Sequence, residues 1–315
     1  MSSLTKTAPA SKQAKGKRLD KVKVKKYAFK YVISIVRWIF IIGMCFVILY
    51  PLFKQISLSV MDAEDLYDAT VNYIPKHFTF DNYKTAWKSI GGMETFINSI
   101  LMTLASSVLI VISSTLVGYG LARFKFKLNG LIFALVILAL VVPSDLFFTP
   151  RYQMFIQLHL CDTPIPILAF AATSTGLKCS LYIFLMRQFF KGQPHELEEA
   201  AYVDGAGPMK TFVKIMLPGA VSMMVTVFLF SFVWQWLDSS YTSLFMRNVS
   251  LISTKYNLVN SSGWGSSASS TVSSDLTVSL VKNACIIIII APLVILYAFT
   301  QKFFVESISR SGLVG

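Results

Sequence analysis

Apolar residues in this chain gather into long, nearly unbroken runs instead of a stripe repeating every 3.6 residues. Six runs stand out, near 32–53, 97–121, 129–149, 164–186, 215–237 and 277–303. A helix needs about 20 mostly apolar residues to cross a bilayer, and each run is of that order. The pattern predicts an all-α membrane protein with about six transmembrane helices. Three polar segments break the pattern. Residues 54–96 carry Pro75 and several aromatics and would hold a short helix lying along the membrane. Residues 261–267, centred on Trp264, read as a flexible Ser/Gly linker that serves either as a connector or as a docking site. Residues 187–214 form the third and most informative segment.

Composition agrees with the pattern. Of 315 residues, 54% are hydrophobic and 14% charged, against roughly 25% charged in a soluble domain, and the mean hydropathy is +0.60. The net charge of +13 does not point to nucleic acid, because its densest cluster lies in residues 1–30, directly before the first apolar run. Positive charge there holds an N-terminus in the cytoplasm. Arg123, Lys125 and Lys127 then follow the second run, Arg187 and Lys191 the fourth, and Lys302 the sixth. The basic segments thus alternate sides consistently, with both termini cytoplasmic. The division expected is a basic, unstructured cytoplasmic tail over 1–30 and a membrane domain over 31–315, with 187–214 as a cytoplasmic loop. The tail is too long and too charged for a secretory signal. Cys45, Cys161, Cys179 and Cys285 are scattered, with neither disulfide nor zinc spacing.

Two segments imitate chemistry. Thr115-Leu116-Val117-Gly118-Tyr119-Gly120 resembles a potassium filter with one insertion. A filter needs a re-entrant loop, whereas this segment closes a full-length run, where small residues let helices approach closely. Gly205 to Thr211 resembles a phosphate-binding loop, but Met209 stands where Gly must precede Lys210, and no strand leads in. No Walker sequence appears elsewhere, so the chain is not expected to hydrolyse ATP. His77, His159 and His195 fall in loops, and no catalytic grouping or metal site can be argued.

Residues 196–218 are different. Glu196 to Val203 is rich in Glu and Ala, both helix formers, with its acids at the N-terminal end where they suit the dipole. Gly205 permits a sharp turn. Met209, Phe212, Val213 and Met216 then offer one apolar face. The wording of this stretch resembles the EAA loop of ABC-importer permeases, EAA-x-x-DGA followed by a distal LP: Glu199-Ala200-Ala201, Asp204-Gly205-Ala206 and Leu217-Pro218. The resemblance runs through most of the chain. Gly118 to Phe124 is similar to the G-Y-A-L-A-R-F of carbohydrate permeases, Phe80-Asp81-Asn82-Tyr83 to their F-T-x-x-N-Y, and Gln301 to Val305 to their Q-K-Y-F-V. The group resembled is the smaller membrane subunit of maltose-type importers.

That resemblance implies a type I ABC importer permease fold and a non-catalytic subunit. It implies a second permease subunit as heterodimer partner, two ATPase subunits that carry the ATP and Mg, and an extracytoplasmic binding protein. It implies a coupling helix in which Glu199, beside Glu198, contacts the ATPase, Ala200 and Ala201 allow close seating, and Gly205 makes the turn. The chain departs from the pattern at Gln193 (usually Ile), at Ser222 (often Pro) and at Leu237 (often Asn). Polar groups inside spans are candidate path residues. Lys178, near the middle of the fourth run, either faces the path, pairs with a partner subunit, or snorkels. Trp234, Gln235, Trp236 and Tyr241 would line a sugar path or form an interfacial belt, and Asn283 lies beside Lys282 in the sixth run. The competing reading is an ATP-independent carrier or channel. It expects intramembrane acids for ion coupling, and only Asp145 and Asp238 fall at span ends.

Overall fold

The computed structural model describes residues 10–311 apart from 69, 72 and 262–272. The linker expected at 261–267 therefore lies, past Ser261, outside the described residues. The chain forms two units, Met1–Ser57 and Leu58–Gly315. Over its described residues the first consists of helix α1 (Ala10–Ser59), which runs two residues past the boundary and is apolar over Phe29–Ser59. Helix replaces the unstructured tail from Ala10 onward, since Ala, Lys, Gln and Arg over 10–26 are all strong helix formers.

The second unit is helical throughout, with one isolated bridge, Met61 to Phe78, among the described residues. Its elements are α2 (Asp81–Ser89), α3 (Gly92–Arg123), α4 (Asn129–Val141), α5 (Phe148–Gln157), α6 (Ile165–Ala172) and α7 (Cys179–Gly192). There follow α8 (Glu196–Val203), α9 (Pro208–Thr211), a π-turn at Phe212–Met216, α10 (Leu217–Gly219), α11 (Val221–Leu237), α12 (Ser240–Phe245), α13 (Ile252–Ser261) and α14 (Ser273–Ser311). Among the described residues, three helices are long and apolar enough to cross a membrane, α1, α3 and α14. Two bent pairs raise the count to five: α4 with α5, turning 105°, and the α9–α10 stretch with α11, turning 72°. The fourth expected run, 164–186, is not one helix. It breaks after Ala172, and α7 starts afresh at Cys179.

α3 is the hub. Its C-terminal half packs on α7 and the π-turn through Ile110, Tyr119, Tyr182, Met186, Phe190 and Phe212. The approach at Gly118 is so close that an added Cβ would stand 2.6 Å from that of Met186. At the other end, Phe96 meets Trp236 edge-on at 6.1 Å, and Trp236 donates Nε1–H to the Ile289 carbonyl at 3.0 Å. That bond ties α11 to α14, while Cys285 lies against Ala86 of α2.

In the polar stretch between Val60 and Phe80, the buried carboxylate of Asp65 ties Lys76 and His77 back to the turn before them. Asp65 Oδ2 accepts the backbone N–H groups of Lys76 at 2.7 Å and His77 at 2.9 Å, and its Oδ1 lies 2.8 Å from His77 Nδ1. The His77 backbone N–H leads in holding the Asp65 carboxyl below its usual range, and the Asp65 bond pushes the His77 imidazole up. The helix expected in 54–96 is α2.

Candidate functional site

Two sites can be built from the residues upward, one on the helical elbow after α7 and one in a cavity beside two helix breaks.

The elbow begins where Gln193 leaves α7 in extended conformation ahead of Pro194. α8 then runs for two turns and stops at a Schellman motif: Ala206 N–H bonds to Ala201 O at 2.9 Å, Gly205 N–H bonds to Tyr202 O at 3.0 Å, and Gly205 takes φ +75°. A side chain there meets open space, so the glycine is required by conformation alone. Pro208 opens α9 at the position proline favours. The π-turn at 212–216 buries Phe212 and Met216 against Tyr119 and Phe190. Leu217-Pro218 sits at the corner before α11, where the chain bends 72°. The turn at Gly205 follows the sequence-based expectation, whereas the apolar face expected of the second part holds only in half: Phe212 and Met216 are buried, and Met209 and Val213 are exposed.

The two adjacent acids point apart. Glu198 is 6% exposed and turned inward: its Oε1 accepts the Tyr119 hydroxyl at 2.9 Å, and Oε2 lies 3.6 Å from Arg123 Nε. Arg123 also donates to the Gln193 carbonyl at 2.7 Å and reaches His195 at 2.9 Å. Ala201, three residues on, is buried on the same face. Glu199, Ala200 and Asp204 are exposed, with Val203 88% exposed beside them. Of the two alanines expected to seat a partner closely, only Ala200 is on the free face, while Ala201 seats α8 on its own chain. The α8 unit is thus a short, rigid knob fixed to the end of α3 by a buried carboxylate. The spacing of Tyr119, Arg123 and Glu198 carries no local signal, because the contact joins residues 79 apart.

The cavity, of about 690 Å³, lies between the α4–α5 bend and the α6–α7 break. Lys178 and Tyr241 line it, and Lys178 Nζ stands 4.9 Å from the Trp234 ring. These three path candidates are brought together. The other three are not. Gln235 is buried and does not line the cavity, but faces a small adjoining void that it shares with Tyr241 and Asp238. Trp236 belongs to the α11–α14 core, and Asn283 donates to Ser279 O within its own helix. Since residues turn about 100° along a helix, Trp234 and Trp236 cannot share a face. Arg151, which also lines the cavity, was not singled out by the sequence. It donates to Tyr241 Oη at 2.7 Å and to Thr175 O at 2.9 Å, with its guanidinium 4.8 Å from the Phe170 ring.

Comparison with known proteins gives a consistent picture. Residues 19–310 match the family described as binding-protein-dependent transport system inner membrane component. The diacetylchitobiose uptake system permease protein NgcG of Streptomyces coelicolor is 29% identical over 238 residues, covering 75% of each chain. The melibiose/raffinose/stachyose import permease protein MelC of Bacillus subtilis is 28% identical over 242 residues, 76% of this chain and 83% of that one. A crystal structure of a bacterial ABC transporter that imports the acidic polysaccharide alginate contains a similarly folded chain. It superposes with a TM-score of 0.69 over 95% of this chain and all of that one, at 20% identity. With a family match over nearly its whole length and this fold, the chain belongs to the binding-protein-dependent inner-membrane transport components, as a non-catalytic permease subunit of an ABC importer.

Proposed function

We propose that this chain forms one half of a heterodimeric permease, through which a carbohydrate released by an extracytoplasmic binding protein enters the cytoplasm. Two ATPase subunits, which hold the ATP and Mg, dock on α8 and on its counterpart in the second permease. Glu199, Ala200, Asp204 and Val203 meet the ATPase. Glu198, Ala201, Gly205, Ala206, Leu217 and Pro218 shape and anchor the knob. Both termini face the cytoplasm, on the side of α8.

The observation that carries this reading is the division of labour on α8. A free face with Glu199 and Ala200 stands opposite a buried face locked to α3 by Glu198. Force applied to such a knob reaches the long membrane helix α3 as a rigid-body motion, which is what alternating access requires. The carbohydrate assignment draws on the named substrates of the relatives and on the permease-like sequence stretches.

The test is affinity purification of the tagged chain from its native membrane, followed by assay of ATPase and uptake for wild type and Glu199→Lys. Copurification of an ATPase and a second permease is expected, with the substitution abolishing that association or the sugar uptake it drives. A chain that purifies alone and moves solute without ATP would overturn the reading in favour of a carrier.

A further inference from the structure

α6 ends in a Schellman motif of its own. Thr175 N–H bonds to Phe170 O at 2.9 Å and Ser174 N–H to Ala171 O at 3.3 Å. The left-handed position of that motif normally takes glycine, yet here it is Ser174, at φ +54°. Lys178, which opens α7, is also left-handed at φ +56°. Two non-glycine residues in this region within five positions are strained backbone, and such strain concentrates where a ligand is held. Ser174 is 7% exposed, lines the cavity, and its hydroxyl has no hydrogen-bond partner. A buried hydroxyl left unpaired is costly unless something in the cavity meets it.

Among the charges lining the cavity around that hydroxyl, the positive ones prevail. Lys178 and Arg151 line the cavity against one carboxylate, Asp145. The nearby Asp238 is taken up by the backbone N–H groups of Tyr241 and Thr242. Lys178 is exposed, and among the described residues its ammonium contacts only the Trp234 ring. The 14-residue α7 starts at the cavity wall, with Cys179 and Ser180 in its first turn. Its positive dipole end adds to the two cations, an arrangement by which a discontinuous membrane helix receives an anionic group.

We infer that the cavity formed by Ser174, Lys178, Arg151 and the start of α7 is a subsite for an anionic group, carboxylate or phosphate, on the solute being carried. The inference rests on the carbohydrate reading and narrows it to acidic or phosphorylated sugars. Lys178 supplies the free charge. Arg151, fixed by Tyr241, Thr175 and Phe170, holds the positive wall in place. Ser174 donates its unpaired hydroxyl, and Trp234 presents a face for the sugar ring.

The experiment uses the complete transporter with its binding protein in proteoliposomes. Uptake is compared for digalacturonate, for galactobiose (the same disaccharide without carboxylates) and for sn-glycerol 3-phosphate. Uptake of an anion is expected, and which one separates the carboxylate source from the phosphate source. Lys178→Gln lowers that uptake about tenfold, as the loss of one charge-assisted contact predicts, while Lys178→Arg retains most of it. Lys178 is exposed, so recovery of the fully assembled complex with an unchanged melting temperature serves as the folding control. Failure of both anions to enter, or anion uptake that Lys178→Gln leaves unchanged, overturns the subsite. Galactobiose uptake in that case leaves the carbohydrate reading standing, whereas transport confined to a peptide or a metal ion overturns that reading itself.

Discussion

Glu198 and Glu199 show how much one position matters. Both are acids in one short helix, yet one is sequestered against Tyr119 and Arg123 and the other is free. Truncating a buried acceptor strands its donors, at a cost of about 1–3 kcal/mol. Glu198→Ala should therefore lower the melting temperature of the purified complex. Glu199→Ala should leave the fold within about 0.5 kcal/mol of wild type while weakening retention of the ATPase on an affinity column. Equal melting temperatures for the two variants would sink this assignment of faces. The Asp65–His77 pair makes a second prediction, on pH. His77 is raised, so its contribution is complete below about pH 6.5 and fades as pH climbs through the higher folded value. Asp65 is lowered, so its contribution is present above about pH 4 and is lost as pH falls through the folded value. The 60–80 segment should be tightest between those limits. Hydrogen exchange of the Lys76 and His77 amides, corrected for intrinsic rate, should speed up from pH 6 to pH 8. No such change in His77→Asn, whose amide does not titrate, would tie the effect to the pair.

At the scale of elements, close approach and deliberate breaks dominate. Gly118 and Gly120 stand two residues apart, yet only Gly118 faces α7. A methyl on Gly118 would collide with Met186, while one on Gly120 meets nothing within 4 Å. Gly118→Ala should cost about 1–3 kcal/mol by overpacking and reduce uptake, with Gly120→Ala near wild type in both. Thermal unfolding of the two complexes checks this, and matching curves would mean that α3 and α7 are not closely packed. Small residues at the end of α3 were legible in the sequence as helix-packing residues, but which glycine does the packing was not, since that depends on the rotation of a distant helix. α8 was legible because caps, turn and composition are all local. The break at 173–178 was not: Thr and Ser are tolerated in membrane helices when they bond back to the preceding turn, as Thr173 does to Ala169. Arg151 escaped notice because it sits in a polar stretch, and only the fold of α5 against Tyr241 brings it to the cavity.

Across the second unit, pairs of contacts fix the direction of each helix. Ser113 bonds to Ala171, Arg187 to Leu121, and Arg123 to Gln193. Residue numbers rise together in these pairs, so the α6–α7 stretch runs parallel to α3. A chain that runs twice in the same direction must return in between, and only the α4–α5 stretch is available. That pair, though bent by 105°, therefore carries the chain back across and is not a hairpin that re-emerges on its entry side. α11 runs opposite to α3, since Phe212 lies at Tyr119 and Trp236 at Phe96. α14 reverses again, with Ile289 at Trp236 and Phe304 at Phe230. Lys84, in α2 just before the start of α3, and Ala200, in α8 beside its end, must then lie on opposite faces of the membrane. Single cysteines at these two exposed positions test it, in a background where Cys45 and Cys161 become Ser and the buried Cys179 and Cys285 remain. A membrane-impermeant maleimide added to intact cells should label Lys84→Cys and spare Ala200→Cys until the membrane is opened. Labelling of both from outside would mean that the α4–α5 stretch turns back within the membrane, and the parallel course of α3 and α7 would have to be abandoned with it.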